Sequence, residues 1–261
     1  MSKVIDQLAV PRWCRRLLGP AVVVAFWALA SEAGWLDPQT LASPTTVFST
    51  GVDLVGDGRL PEALWVSVQR VLWGLLFGIT AGTVLAVVSG LFRLGEDVID
   101  SSVQFLRTLP VFALIPLFIL WFGIGEEVKI ILIAVAVSFP VYINTFSAIR
   151  GVDEKLVEAA QTFGLGRAAL VRNVVLPGAL PGFLVGLRFS LVIAWLVLVV
   201  AETINATKGM GYLMNEARAF GQTDVLVVAL VTFGVLGILS DAFVRLLERN
   251  LLSWRRSFSG T

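Results

Sequence analysis

Long apolar runs alternate with short charged segments along this chain, and the runs are too long to be strands. A helix that crosses a bilayer needs about 20 mostly apolar residues. Six runs approach that length: 19–35, 71–92, 108–125, 130–149, 181–201 and 225–246. The second and third carry no charge, whereas the first meets Glu32 near its end, the fifth contains Arg188 and the sixth contains Asp241. The pattern predicts an all-α integral membrane protein, a single domain over 1–261 with six transmembrane helices. Segment 43–61 reads as a loop. Residues 62–70 read as an amphipathic lead-in to the second helix, with Glu62 and Arg70 at water-facing ends. Segment 202–223 is long enough for a turn at Gly209 to Gly211 and a short surface helix.

Composition agrees with the pattern. Of 261 residues, 57% are hydrophobic and 15% charged, against about 25% charged in a soluble domain. The surroundings of such a chain are membrane lipid. A net charge of +1 provides no field for nucleic acid, and none is expected as a partner. Cys14 is the one cysteine, which rules out a disulfide framework within the chain and reads as a packing residue. There is no histidine, so the commonest metal ligand and general base is missing. No catalytic residue and no metal site are expected, and a membrane enzyme is disfavoured.

Loop charges orient the helices. With the N-terminus inside, segments 1–16, 92–107, 148–173 and 245–261 hold Lys3, Arg12, Arg15, Arg16, Arg93, Arg107, Arg150, Lys155, Arg167, Arg172, Arg245, Arg249, Arg255 and Arg256. The opposite loops hold Arg59, Lys129, Lys208 and Arg218, with Arg70 at the end of the lead-in. Cytoplasmic loops are the basic ones, so both termini are expected in the cytoplasm. A cleaved signal peptide ending near Ala28-Leu29-Ala30 is the competing reading, which would leave five spans and an external N-terminus.

The longest inner segment, 150–178, is patterned in its own right. Asp153 is a helix N-cap candidate and Glu154 follows in the first turn. Leu156, Ala160 and Phe163 fall at i, i+4 and i+7 on one helical face. Gly164 stops the helix, and a second short helix is expected from Arg167 to Val175, with Pro177 opposing its continuation. Glu158 offers a charge, and Ala159 and Ala160 let another surface come close. This helix–glycine–helix unit is either a docking knob for a soluble partner or an ordinary interfacial loop.

Glu158-Ala159-Ala160, then Gly164, then Val174-x-Leu176-Pro177 resembles the EAA loop of binding-protein-dependent ABC importer permeases, in spacing and in place. Leu106 to Pro110, Leu120 to Ile124, Phe139 to Thr145 and Val200 to Thr203 are similar to the aliphatic sulfonate, taurine and nitrate branch, and Gly209 to Arg249 to the alkanesulfonate permeases. The resemblance covers about Leu41 to Arg249. It implies the type I importer permease fold in a bacterial inner membrane. It assigns ATPase coupling to Glu158, Ala159, Ala160, Gly164, Leu176 and Pro177. It also implies two ABC ATPase subunits, an extracytoplasmic solute-binding protein and a second permease copy, in a homodimer. The chain would bind no cofactor itself, with ATP and Mg on the ATPase; consistently, it has no G-x-x-x-x-G-K-[ST] phosphate loop. The implied cargo is a small anion, an aliphatic sulfonate or taurine, with nitrate, bicarbonate or a thiamine precursor as alternatives and an ion-coupled carrier as the rival class.

Ionisable groups within apolar runs are costly and are site candidates by default. Arg188 therefore reads either as a substrate-pathway cation or as one side of an ion pair with Asp241. Reckoned from a helix start at Pro181, it lies about 10 Å from the inner end at 1.5 Å per residue. Glu202 shapes an outer gate or caps a loop, the second being favoured. Gly74, Gly78, Gly82 and Gly90 form a small-residue stripe for close helix packing.

Overall fold

The computed structural model describes residues 12–37 and 39–254, without the side chains of 12–17 and Asn205. Lys3, Arg255 and Arg256, and the side chains of Arg12, Cys14, Arg15 and Arg16, lie outside the described residues, so the expectations resting on them do as well. Among the described residues the regular structure is helical throughout: α1 (Arg12–Glu32), α2 (Pro44–Gly56), α3 (Arg59–Leu91), α4 (Arg93–Leu106), α5 (Val111–Phe122), α6 (Glu126–Arg150), α7 (Glu154–Thr162), α8, α9 (Met210–Ala219) and α10 (Thr223–Leu251). Helix α8 begins as Arg167–Leu170, widens into a π turn over Val171–Val175 and continues as a regular helix over Leu176–Asn205.

Helices α3, α6, α8 and α10 are long and apolar enough to cross a bilayer. The run 108–125 does not form a straight span. The chain turns by 88° between α4 and α5, which together could make one broken span. Pro110 explains the break: it lacks an amide proton, and it disfavours helical geometry at Leu109. After it come a 3-10 turn, Val111–Leu114, and only eight α-helical residues, Ile115–Phe122. The apolar part of α1, Leu18–Glu32, is also shorter than a full span.

Other boundaries differ for equally local reasons. Segment 62–70 is continuous with the second span, because α3 starts at Arg59. The loop assigned to 43–61 contains α2. Ser43 caps it, its hydroxyl accepting from Thr46 N at 3.2 Å, and Pro44 occupies the first turn, where its missing proton costs little. Pro177 does not end the second short helix. It sits at the start of the regular part of α8, after a π turn that shifts the bonding pattern. The fifth span therefore starts before Pro181, which lies inside the helix.

The chain divides into two compact units. One comprises the residues through Pro61 with Leu213–Val231. Within it Thr50 Oγ1 donates to Asp224 at 2.7 Å, and Arg59 pairs with Glu216 at 3.4 Å. The other comprises Glu62–Tyr212 with the chain from Thr232. Its core is built on α6, whose Leu132, Ile133, Val137 and Val141 are fully buried. The glycine stripe of α3 lies on this helix. A Cβ on Gly78 would come within 2.5 Å of the Ala134 carbonyl oxygen, so only glycine permits the approach. On α8, Gly186 packs as closely against Pro140 and Val141 of α6. Leu184, Ala194 and Leu198 of α8 complete this core. Many large side chains stay outside it, Leu72, Trp73, Leu76 and Phe77 of α3 among them. Exposed apolar bands of that size belong against lipid or partner helices.

Candidate functional site

Helix α7 joins the end of α6 to the root of α8 and is short, polar and nearly bare. Asp153 caps it, its carboxylate accepting from Lys155 N at 2.9 Å, and Glu154 complements the positive end. Its far end closes in a Schellman motif. Leu165 N donates to Ala160 O at 3.1 Å and Gly164 N to Gln161 O at 2.8 Å. Gly164 takes φ +80°, a left-handed conformation costly for any residue with a Cβ, although the space beside it is open.

Glu158 and Ala159 are exposed on this helix. Ala160, expected to let another surface come close, is buried instead, on a helix that packs against the segment 167–175. Leu156 and Phe163, which share its face in helical register, extend past that contact and are 58% and 85% exposed. Two large apolar side chains thus stand on either side of Ala159 with most of their surface open, while Glu158 is exposed on the other side of the helix. Leu176 and Pro177 lie at the other end of the segment. Val175 and Ala179 anchor that root against Ile149 of α6.

At the opposite end of α6 is a network that the sequence reading assigned to water. Arg70 is 4% exposed and Glu202 is 1% exposed. Arg70 donates through Nη1 to Glu202 at 2.6 Å and to Lys208 O at 2.8 Å. Through Nε and Nη2 it donates to Glu126 at 2.5 and 2.7 Å, a bidentate pair. Lys129 adds a contact to Glu126 at 2.9 Å. Ser67 Oγ donates to Glu202 and receives the amide of Met210, while Gly211 N donates to Glu202 at 2.7 Å. Two cations and two carboxylates thus hold α3, α6 and α8 to the amino end of α9. Lys208 also reaches Glu62 at 2.7 Å, and this hydrogen bond holds its ammonium above the ordinary lysine value. A legible signal for the burial of Arg70 existed: Ser67, Arg70, Gly74 and Gly78 share one helical face of small residues.

Arg188 and Glu202 do not converge. Arg188 of α8 donates to Glu248 of α10 at 2.7 Å and lies 3.4 Å from Asp241, which Arg245 meets at 2.5 Å. The quartet is neutral. Glu248 is three residues before α10 ends, so the group sits towards the α7 side of the spans.

The sequence profile described as "binding-protein-dependent transport system inner membrane component" matches residues 74–253. The putative aliphatic sulfonates transport permease protein SsuC of Escherichia coli (strain K12) is 46% identical over 252 residues, 95% of this chain and 96% of that one. Its Bacillus subtilis (strain 168) namesake is 44% identical over 248 residues, 95% and 90% of the two chains. The taurine transport system permease protein TauC of E. coli is 32% identical over 239 residues, 90% and 87%. Among solved structures, an inward-facing MetNI methionine ABC transporter aligns with a TM-score of 0.61 at 19% identity, over 74% of this chain and 95% of that one. An amino acid ABC transporter aligns with a TM-score of 0.60 at 16% identity, over 72% and 92%. These two establish the ABC importer permease fold. With its family profile spanning most of the chain and its sequence relatives nearly all of it, this chain belongs to the binding-protein-dependent transport system inner membrane components, the permease subunits of ABC importers.

Proposed function

We propose that this permease carries an aliphatic sulfonate and is driven through α7 by a separate ATPase. The observation that carries the coupling role is the bare surface of α7, where Leu156 and Phe163 flank Ala159, and Glu158 is exposed, on a capped, conformationally defined helix. Exposed apolar groups on an otherwise polar helix mark a protein contact. The substrate reading is supported by the sulfonate permeases at 44% and 46% identity, against 32% for the taurine permease. One ATPase subunit would dock on the α7 of each of two identical permeases, holding ATP and Mg, while an extracytoplasmic binding protein delivers the solute. The excess of arginine and lysine on the α7 side supports a cytoplasmic location for that side and for both termini. Glu158, Ala159 and Gly164 would present the contact, Ala160 would seat α7, and Leu176 with Pro177 would pass its movement into α8. Transport would follow from alternating access, ATP closure biasing one of two pore states.

The test is reconstitution of the whole transporter in proteoliposomes. ATP should drive uptake of an alkanesulfonate in preference to taurine. Gly164→Val should keep the assembly intact and ATP hydrolysis measurable while uptake falls at least about tenfold, because a β-branched residue resists φ +80°. Gly164→Asn, which tolerates that conformation, should retain most uptake. Normal coupled uptake by Gly164→Val removes the lever role, and uptake abolished by an uncoupler at constant ATP removes the ATP-driven reading.

A further inference from the structure

We propose that a groove between the end of α3 and the root of α8 binds the headgroup of an anionic phospholipid. The groove encloses about 870 Å³ and is mostly apolar, with Leu91, Phe92 and Val171 on its wall and Arg93, Arg167 and Arg172 around it. That volume suits a small-molecule site. Among the described residues, Arg59, Arg70, Arg150, Arg188 and Arg245 each have a carboxylate partner; Arg93, Arg167 and Arg172 form no ion pair, nor do Arg107, Arg218 and Arg249, but only the first three line one cavity. Three arginines lining one cavity offer guanidinium forks to a multi-oxygen anion, and a phosphate accepts from such forks two bonds at a time.

Position selects the kind of anion. Leu91 is the last residue of a membrane-crossing helix, and the segment 167–175 leads directly into another. Ile149 of α6 packs with Val175 and Leu91, so the ends of three spans lie at one level. A groove at that level has a charged rim for a headgroup and an apolar wall for the first acyl carbons. A free anion has no use for the wall. Anionic lipid concentrates in the cytoplasmic leaflet, so the physiological assignment rests on the sidedness proposed above.

The experiment titrates the detergent-purified transporter, permease with ATPase, with phosphatidylglycerol and with phosphatidylcholine and counts bound lipid by native mass spectrometry. Wild type should prefer phosphatidylglycerol by at least about tenfold. In R93Q/R167Q/R172Q the preference should fall below about twofold, and in R93K/R167K/R172K most of it should remain, since charge is kept. R107Q/R249Q, outside the groove, should leave it unchanged. An undiminished preference in the glutamine variant overturns the proposal, as does an equal loss in R107Q/R249Q, which would mean diffuse surface charge. Loss of the ATPase with lipid preference intact would make the groove a protein contact and also overturn it. So would inorganic phosphate binding as tightly as the lipid. The readout involves neither the transported solute nor sidedness, so its failure is distinct from a failure of the proposed function.

Discussion

Arg70 shows how far one side chain can set local energetics here. Its partners Glu126 and Glu202 lie 56 and 132 positions away in sequence, so no local pattern could pair them. Burying a charge is tolerable only with complete pairing, and deleting one partner strands the other. Arg70→Ala leaves the carboxyl group of Glu202 fully enclosed without its cation, which should cost about 3–5 kcal/mol. Thermal unfolding of the purified transporter measures it. Arg70→Ala/Glu202→Gln should recover part of the loss, and a single variant as stable as wild type would mean that the network carries no load. Arg188 makes a different case. If it serves mainly to pair α8 with α10, Arg188→Gln should lower the melting temperature and the amount of assembled transporter while the KM for solute stays within about twofold, a change of only about 0.4 kcal/mol in binding. A KM raised tenfold at unchanged stability would instead place the arginine in the solute path. The sequence exposed the cost of Arg188 and named Asp241 as one partner, but it left Arg70 at a water-facing end, since Glu248 and the Arg70 cluster depend on helix register between distant segments.

Elements were legible where periodicity and capping agreed, and misread where proline chemistry intervened. The stop at Gly164 and the cap at Asp153 are local events, so their residues alone announce them. The 88° break before α5 depends on how one missing amide proton is accommodated, and the passage of α8 through Pro177 depends on a π turn that no hydrophobic pattern encodes. The glycine stripe of α3 was visible, but its partner was not; backbone contact with α6 now makes that testable. Gly78→Ala would drive a methyl group into the Ala134 carbonyl, and the two helices must part to admit it. A destabilisation of about 1–3 kcal/mol is expected. Gly234→Ala, on α10 with open space at its Cβ, should be neutral or stabilising by up to about 1 kcal/mol. Unfolding of both variants in the same detergent gives the comparison. If Gly78→Ala matches Gly234→Ala, the close approach of α3 to α6 is wrong.

At the scale of the whole molecule, position along α6 organises the argument. This helix is wedged between α3 and α8 by contacts too close for any Cβ, one end continues into α7, and the other carries Glu126 of the buried network. Packed interiors shift as bodies rather than deform continuously, so a push on α7 should reach the Arg70 cluster through α6 without being absorbed on the way. The push needs a grip, and α7 offers two apolar anchors that remain exposed among the described residues. Interface energy concentrates in such anchors, where truncating one large side chain costs about 2 kcal/mol or more. Phe163→Ala removes the more exposed of the two while leaving Asp153, Gly164 and buried Ala160 to hold the helix. ATPase retention on size-exclusion chromatography should therefore weaken by about thirtyfold. The melting temperature of the permease should hardly move, because an exposed ring contributes little to its own fold. Undiminished retention of the ATPase by the Phe163→Ala/Leu156→Ala pair would show that the motor grips this permease elsewhere, and α7 would lose its part in coupling.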